Sequence, residues 1–243
     1  MSEEIKETKT ETKIKEKKSK KKSKPITVKA NKKGRHILKF LNFLRVIFIP
    51  GYFLLKPFRY FGDRKVKDGA CVYVVNHYTI FDVVYPASTT WESIHIVAKR
   101  EVVDAPILGS LARAVKVIPV NRDGNDVRAL LDCFKVLKNG EKIVIFPEGT
   151  RNKTNEEMLP FKHGAAIMAI RAKVPVVPVV IYKKPRLFRC AHILMGEPFE
   201  LTEYYDRKLT EEEMIQADNK IREVMLNLKA QHTEYLQNKK KKK

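Results

Sequence analysis

The sequence predicts an α/β fold: a single domain with a largely parallel central sheet flanked by helices, preceded by an N-terminal helical segment that lies on a membrane surface. Three observations carry this. Six short apolar runs recur between residues 71 and 195, each the length of a buried strand. Helix-period patterns interrupt and follow them, and alternating β and α elements build parallel sheets. Ahead of them, residues 36–61 interleave aromatic, aliphatic and basic residues as an interfacial helix does.

Taken in order, residues 1–34 are low-complexity Lys, Glu, Thr and Ser with almost no apolar content, a composition expected to stay disordered. Residues 35–62 are expected to hold two short helices broken at Pro50-Gly51. The longest uncharged apolar run there, Val46 to Leu55, is too short for a membrane span of about 20 residues. The same pattern also fits an ordinary helical hairpin packed on the core. Residues 63–236 are assigned to the main domain and 237–243 to a lysine-rich tail. Strand-like runs lie at Cys71–Val75, Ile94–Ala98, Lys116–Val120, Ile143–Phe146, Val176–Ile181 and His192–Met195. Val174–Ile181 carries prolines at its start and at a bulge or edge. A helix is predicted from Asn125 to Lys138 with Val127, Leu130, Leu131, Phe134 and Leu137 on one face. A second starts at Thr210, with Glu213 as capping-box partner and Met214, Ala217, Ile221, Val224, Met225 and Leu228 facing the core.

Charge is placed unevenly. The formal net charge of the 243 residues is +21, of which residues 1–35 hold +9 and five terminal lysines +5. The tails suit a polyanion or an anionic membrane surface. The +7 left on the body argues against a dedicated nucleic-acid-binding domain, and no nucleic acid is expected as a partner. Cys71, Cys133 and Cys190 form neither a zinc spacing nor a disulfide framework, which fits a reducing compartment and gives no metal site. The lysine-rich opening is no secretory signal peptide.

The chemistry gathers where strands end. Cys71–Val75 runs into Asn76-His77-Tyr78-Thr79-Ile80-Phe81-Asp82. On one continuous helix, His77 and Asp82 would turn about 500° apart and point away from each other. They meet only if His77 closes the strand and Asp82 sits in the first turn of a helix capped by Thr79. A carboxylate holding a histidine in this way is a general-base arrangement, although Asp82 also suits a purely structural cap. The loop Phe146-Pro147-Glu148-Gly149-Thr150-Arg151 follows another strand. There Arg151 offers a planar fork suited to phosphate, and Glu148 is expected to pin that arginine or meet a substrate hydroxyl. Arg122 also follows a strand, so the two arginines at two strand ends could converge on one anionic head group, and Lys99 follows the Ile94–Ala98 strand in the same way, although each alone reads as a solvated charge.

In this order these stretches resemble the glycerolipid acyltransferase family, specifically the 1-acylglycerol-3-phosphate (lysophosphatidic acid) acyltransferases. The matching blocks are Asn76-His77 with Asp82, Lys99 through Arg122, Phe146–Arg151 and Val174–Ile181. Thr79, where serine is usual, and Asn121 before Arg122 depart mildly from the pattern. The resemblance implies catalytic His77 and Asp82, with Glu148, Gly149, Thr150, Arg151, Arg122 and Lys99 binding substrate. It implies transfer of a fatty acyl group to the sn-2 hydroxyl of 1-acylglycerol 3-phosphate, giving phosphatidic acid for phospholipid synthesis. The acceptor is then a lysophospholipid, and acyl-CoA or acyl-acyl carrier protein is a co-substrate, with no bound cofactor. The expected location is the cytoplasmic face of the cell membrane, peripheral or monotopic. A backbone N–H at the His77 turn or at Gly149 is expected to meet the oxyanion. Glycerol 3-phosphate or another lysophospholipid as acceptor remains an alternative, as does a non-enzymatic basic membrane- or nucleic-acid-binding protein.

Overall fold

A computed structural model describes residues 43, 46–64, 68–106, 112, 116–121, 126–162 and 164–242. The expectation for residues 1–34 lies outside them. Seven strands form one sheet: β1 (Phe58–Phe61), β2 (Val72–Val75), β3 (Ile94–Lys99), β4 (Val117–Val120), β5 (Lys142–Ile145), β6 (Val176–Ile181) and β7 (Ala191–Met195). Their spatial order is β1-β7-β6-β2-β5-β3-β4. The five strands from β6 to β4 run parallel. β7 is antiparallel to β6, and β1 follows β7 in parallel. Each predicted run is a strand to within one residue at either end.

The central strands bury both faces, as parallel strands do. β2 and β6 are buried at every position. Alternation sends Val72 and Val74 into one core and Tyr73 and Val75 into the other. The first core lies under α4 (Val127–Lys138), α5 (Ala165–Ala172) and α6 (Glu211–Lys241). The second packs Val84 and Tyr85 of the short helix α2 (Val84–Ala87) and Tyr52 of the N-terminal helix α1, residues 46–55. A five-residue helix, α3 (Arg100–Asp104), follows β3.

Four expectations about element bounds and helix faces are corrected. Residues 46–55 are helical straight through Pro50-Gly51, so no break occurs there. A proline withholds only its own N–H, and the helix is held by Tyr52, whose ring meets Phe58, Phe81 and Tyr85 and whose hydroxyl lies 3.2 Å from that of Tyr85. Phe58–Phe61 is a strand paired with β7 from Phe58↔Ala191 to Phe61↔Leu194, so the sheet begins before residue 63. The lysine-rich end is no separate tail within the described residues, because α6 runs to Lys241. Lysines are good helix formers, and cations at a helix C-terminus meet its negative end. Finally, α4 buries Ala129, Cys133 and Leu137, while Val127 and Leu131 are exposed. Small residues face α5 and the sheet, where a larger face would hold them apart.

Pro178 sits inside an interior strand rather than at an edge or bulge. It pairs with Val74 on one side, and its carbonyl accepts from Gly196 N–H at 2.9 Å on the other. Its missing N–H faces the point where β7 has already ended, so no ladder bond inside the strand pair is lost. A Cβ at Gly196 would stand 2.6 Å from Pro178 Cγ and from Leu228 Cδ1, so only glycine fits this close approach.

Candidate active site

Because β2, β5, β3 and β4 are parallel, their C-terminal ends share one edge of the sheet, where sites of open α/β folds gather. β2 ends at Val75. Buried Asn76 then closes the gap to β6, donating from Nδ2 to the Ile181 carbonyl at 3.1 Å and accepting Ile181 N–H at 2.7 Å. This pair fixes the exit of the chain just before His77.

Asp82 lies in a 3₁₀ turn, Ile80–Val83, with Thr79 as its N-cap residue. The helix expected there is thus a single tight turn leading into α2. Asp82 is fully buried and surrounded by donors. Its Oδ2 accepts Tyr78 N–H at 2.6 Å and Thr79 N–H at 2.7 Å, and its Oδ1 accepts the Thr79 hydroxyl at 2.7 Å. Oδ2 also stands 3.0 Å from His77 Nδ1. The imidazole stacks on Phe146 at the end of β5, with centroids 4.2 Å apart and planes inclined by 28°. It stays 19% exposed. Nδ1 is therefore committed to the buried carboxylate, which leaves Nε2 for an incoming group. The carboxylate that builds the turn also holds the ring.

Glu148 does not reach Arg151. It is 2% exposed, and both oxygens accept backbone N–H groups, from His77 at 2.8 Å and Leu159 at 3.0 Å. A carboxylate taken out of water needs such donors, and the backbone at this edge supplies them. Burial pushes its carboxyl above the ordinary value of 4.5, and the His77 and Leu159 N–H bonds pull it back. Its position therefore locks β2's exit to the loop after β5. The carbonyl of His77 is held as well, accepting Asn152 N–H at 2.6 Å. Sequence reasoning missed this brace because the partners are backbone amides, which have no signature in residue type.

Gly149, Thr150, Arg151 and Lys99 follow the ends of β5 and β3 at the same edge. Gly149 has φ +65°, and a Cβ there would press against the Lys162 side chain at 2.8 Å. Its N–H is spent inside the turn on Phe146 O at 3.0 Å, so Gly149 is not the oxyanion donor. The N–H groups of His77, Tyr78 and Thr79 are likewise taken by Glu148 and Asp82. Thr150 and Arg151 are exposed on the loop. Lys99 ends β3, opposite Val120 of β4, and is also exposed. Arg100 beside it donates from Nε to Asn121 Oδ1 at 2.6 Å, tying the ends of β3 and β4 together. Arg122 lies outside the described residues. Cys71 enters β2 at the end away from His77, and burial pushes its thiol up to about 12, as it does for Cys133 in α4. Neither thiol is a nucleophile at neutral pH.

The arrangement offers an imidazole held by a buried carboxylate and exposed cations along one edge. Within the described residues no helix is long and apolar enough to cross a membrane. The acyltransferase family model matches residues 58–182. A 1-acyl-sn-glycerol-3-phosphate acyltransferase of Helicobacter pylori is 33% identical over 187 residues, covering 66% of this chain and 79% of that protein. The human 1-acyl-sn-glycerol-3-phosphate acyltransferase beta is 33% identical over 144 residues, and the match spans 54% of this chain and about half of the human one, 51%. The crystal structure of the 1-acyl-sn-glycerophosphate (LPA) acyltransferase PlsC from Thermotoga maritima superposes with a TM-score of 0.56 at 23% identity, over 82% of this chain and 79% of that one, which shows a shared fold.

Proposed function

The chain belongs to the acyltransferase family, and on that premise we propose that it transfers a fatty acyl group from a thioester to the sn-2 hydroxyl of 1-acylglycerol 3-phosphate, giving phosphatidic acid. The observation that carries the mechanism is the 3.0 Å contact of His77 Nδ1 with buried Asp82. With Nδ1–H donated to Asp82, Nε2 takes the proton of the acceptor hydroxyl as its oxygen attacks the thioester carbonyl. The imidazolium that forms is stabilised by the Asp82 carboxylate. Collapse of the tetrahedral intermediate breaks the carbon–sulfur bond. The thiolate leaves and recovers the proton from Nε2, so the histidine ends as it began. The lysolipid supplies the nucleophile, and no acyl-enzyme is needed.

Arg151, with Lys99 and Arg122 in support, holds the glycerol 3-phosphate in this reading, since an exposed guanidinium fork on the loop after β5 suits a dianionic phosphate. Glu148 and Asn76 act on the backbone that carries His77. Acceptor and product are bilayer lipids, so the chain works at the membrane surface, on the cytoplasmic face where thioester donors are made. Helix α1 suits that place: Ile47, Phe48 and Leu55 line an apolar groove of ≈ 570 Å³ with Phe81, next to Asp82 in sequence. A hydrocarbon chain fits such a lining.

The test is acyl transfer by purified wild type and His77→Ala, with 1-acylglycerol 3-phosphate and glycerol 3-phosphate offered separately. The expected outcome is phosphatidic acid from the first acceptor only, and a loss of about 10²–10⁴-fold in kcat for the variant. Near-normal turnover by folded His77→Ala would refute the base assignment, and product from the second acceptor alone would change the substrate.

A further inference from the structure

Leu187, in the loop between β6 and β7, lines the apolar groove beside α1, but the rest of that loop has a surface that the reaction does not use. Its sequence, Lys183-Lys184-Pro185-Arg186-Leu187-Phe188-Arg189, holds four cations and no acid around two large apolar residues. Phe188 is 73% exposed, more than most large apolar side chains of this protein. Its backbone is in the left-handed region at φ +55°, a conformation that disfavours a bulky aromatic residue, and among the described residues its ring stacks on no other aromatic side chain. The fold nevertheless holds it in place. Phe188 N–H donates to Leu55 O at the end of α1, and Ala191 N–H donates to Pro57 O, both at 2.8 Å. The loop is thereby fastened beside Phe53, Leu54 and Leu55, themselves exposed.

We propose that this loop is a second membrane-inserting element, with Phe188 entering the acyl-chain boundary of an anionic bilayer and Lys184, Arg186 and Arg189 meeting lipid phosphates around it. This rests on the reading that the chain works on bilayer lipids, and adds the element and the lipid charge. The chemistry selects a bilayer over a protein partner. An apolar tip ringed by long cationic side chains matches an interface that is hydrocarbon below and phosphate above, where lysine and arginine extend their heads into the head-group layer. It continues the apolar face of α1, and the chain as a whole carries +21. A mostly exposed phenylalanine in a disfavoured backbone conformation is accounted for by the contact its side chain makes outside the fold.

The test uses the full chain and two variants, Phe188→Asn and the pair Lys184→Gln with Arg186→Gln. Asparagine tolerates the left-handed conformation, so the fold is not put at risk. Sedimentation is measured with vesicles of phosphatidylcholine alone and with phosphatidylglycerol added, at about 0.1 M salt. Phe188→Asn is expected to bind both kinds about tenfold more weakly, with its thermal midpoint unchanged or higher. The double charge variant is expected to lose about thirtyfold on anionic vesicles only. Both variants should keep wild-type turnover of a short-chain 1-acylglycerol 3-phosphate dissolved as monomers. Wild-type vesicle binding by either variant overturns the proposal. So does a lowered thermal midpoint in Phe188→Asn, which would give Phe188 a packing role, or a wild type that binds neither kind of vesicle, which would turn this face to another partner. Absence of acyl transfer in the wild type would instead refute the enzymatic reading and leave the vesicle result standing.

Discussion

At the scale of single residues, two carboxylates at this edge do different work. Asp82 holds the imidazole, and its five-residue separation from His77 made that legible from sequence, because only a strand-to-turn break brings the two together. Glu148 holds the backbone under the imidazole, and nothing local announces it: its bonds reach His77, 71 positions away, and Leu159, 11 away. Glu148→Gln separates this brace from a ligand role. The amide keeps one acceptor, but its NH₂ must face a buried backbone N–H, which costs about 1–3 kcal/mol. His77 then loses its fixed position, and kcat is expected to fall by about 10–100-fold with KM for the acceptor unchanged. A raised KM at constant kcat would instead make Glu148 a substrate contact.

At the scale of elements, the strands were legible and some helix faces were not. Six apolar runs needed only buried length and flanking turns to be recognised. Phe58–Phe61 did not stand out, because its identity comes from pairing with β7 some 130 positions later, while its composition continues that of α1. The helical spacing of the larger apolar residues of α4 points to a different face from the one that packs, because Ala129 and Cys133 are buried where the helix packs closely. Neighbouring strands are also joined by charge. Glu141, just before β5, lies 2.5 Å from Nε2 of His95 on β3. Bonding to His95, with Lys116 also near, holds the Glu141 carboxyl down to about 2 from its ordinary 4.5. A carboxyl lowered in the folded state stabilises it above pH 4.5, and that contribution disappears as pH falls toward 2. The pair is partly open to solvent, so about 1 kcal/mol is a fair size, or roughly 2–4 °C. Glu141→Gln should therefore melt lower than wild type by that margin at pH 6. The two melting temperatures should converge as pH drops from 5 toward 2. A gap constant with pH would mean that the lost contact was not ionic.

At the scale of the whole molecule, the parallel order of β2, β5, β3 and β4 sets His77 and the loops after β3 and β5 on one edge. Beside that arrangement stands a charge distribution that no catalytic step requires: residues 1–35 carry +9, most of it in one lysine-rich block. Each cation near an anionic bilayer contributes about 1 kcal/mol, and the field decays over about 10 Å at 0.1 M salt but about 3 Å at 1 M. An electrostatic tether and an apolar anchor can thus be told apart by salt and lipid charge. Deleting residues 1–35 should weaken binding to vesicles containing phosphatidylglycerol by at least about 100-fold at 0.1 M salt. At 1 M salt, or with phosphatidylcholine alone, truncated and full chains should bind alike through α1 and the β6–β7 loop. Turnover of a monomeric acceptor should not change, since the sheet and its site begin well after the deletion. If truncation weakens binding to neutral vesicles as strongly as to anionic ones, the segment inserts rather than tethers. If it leaves anionic binding intact at low salt, the membrane attachment resides in the rest of the chain and the lysine-rich segment has another partner.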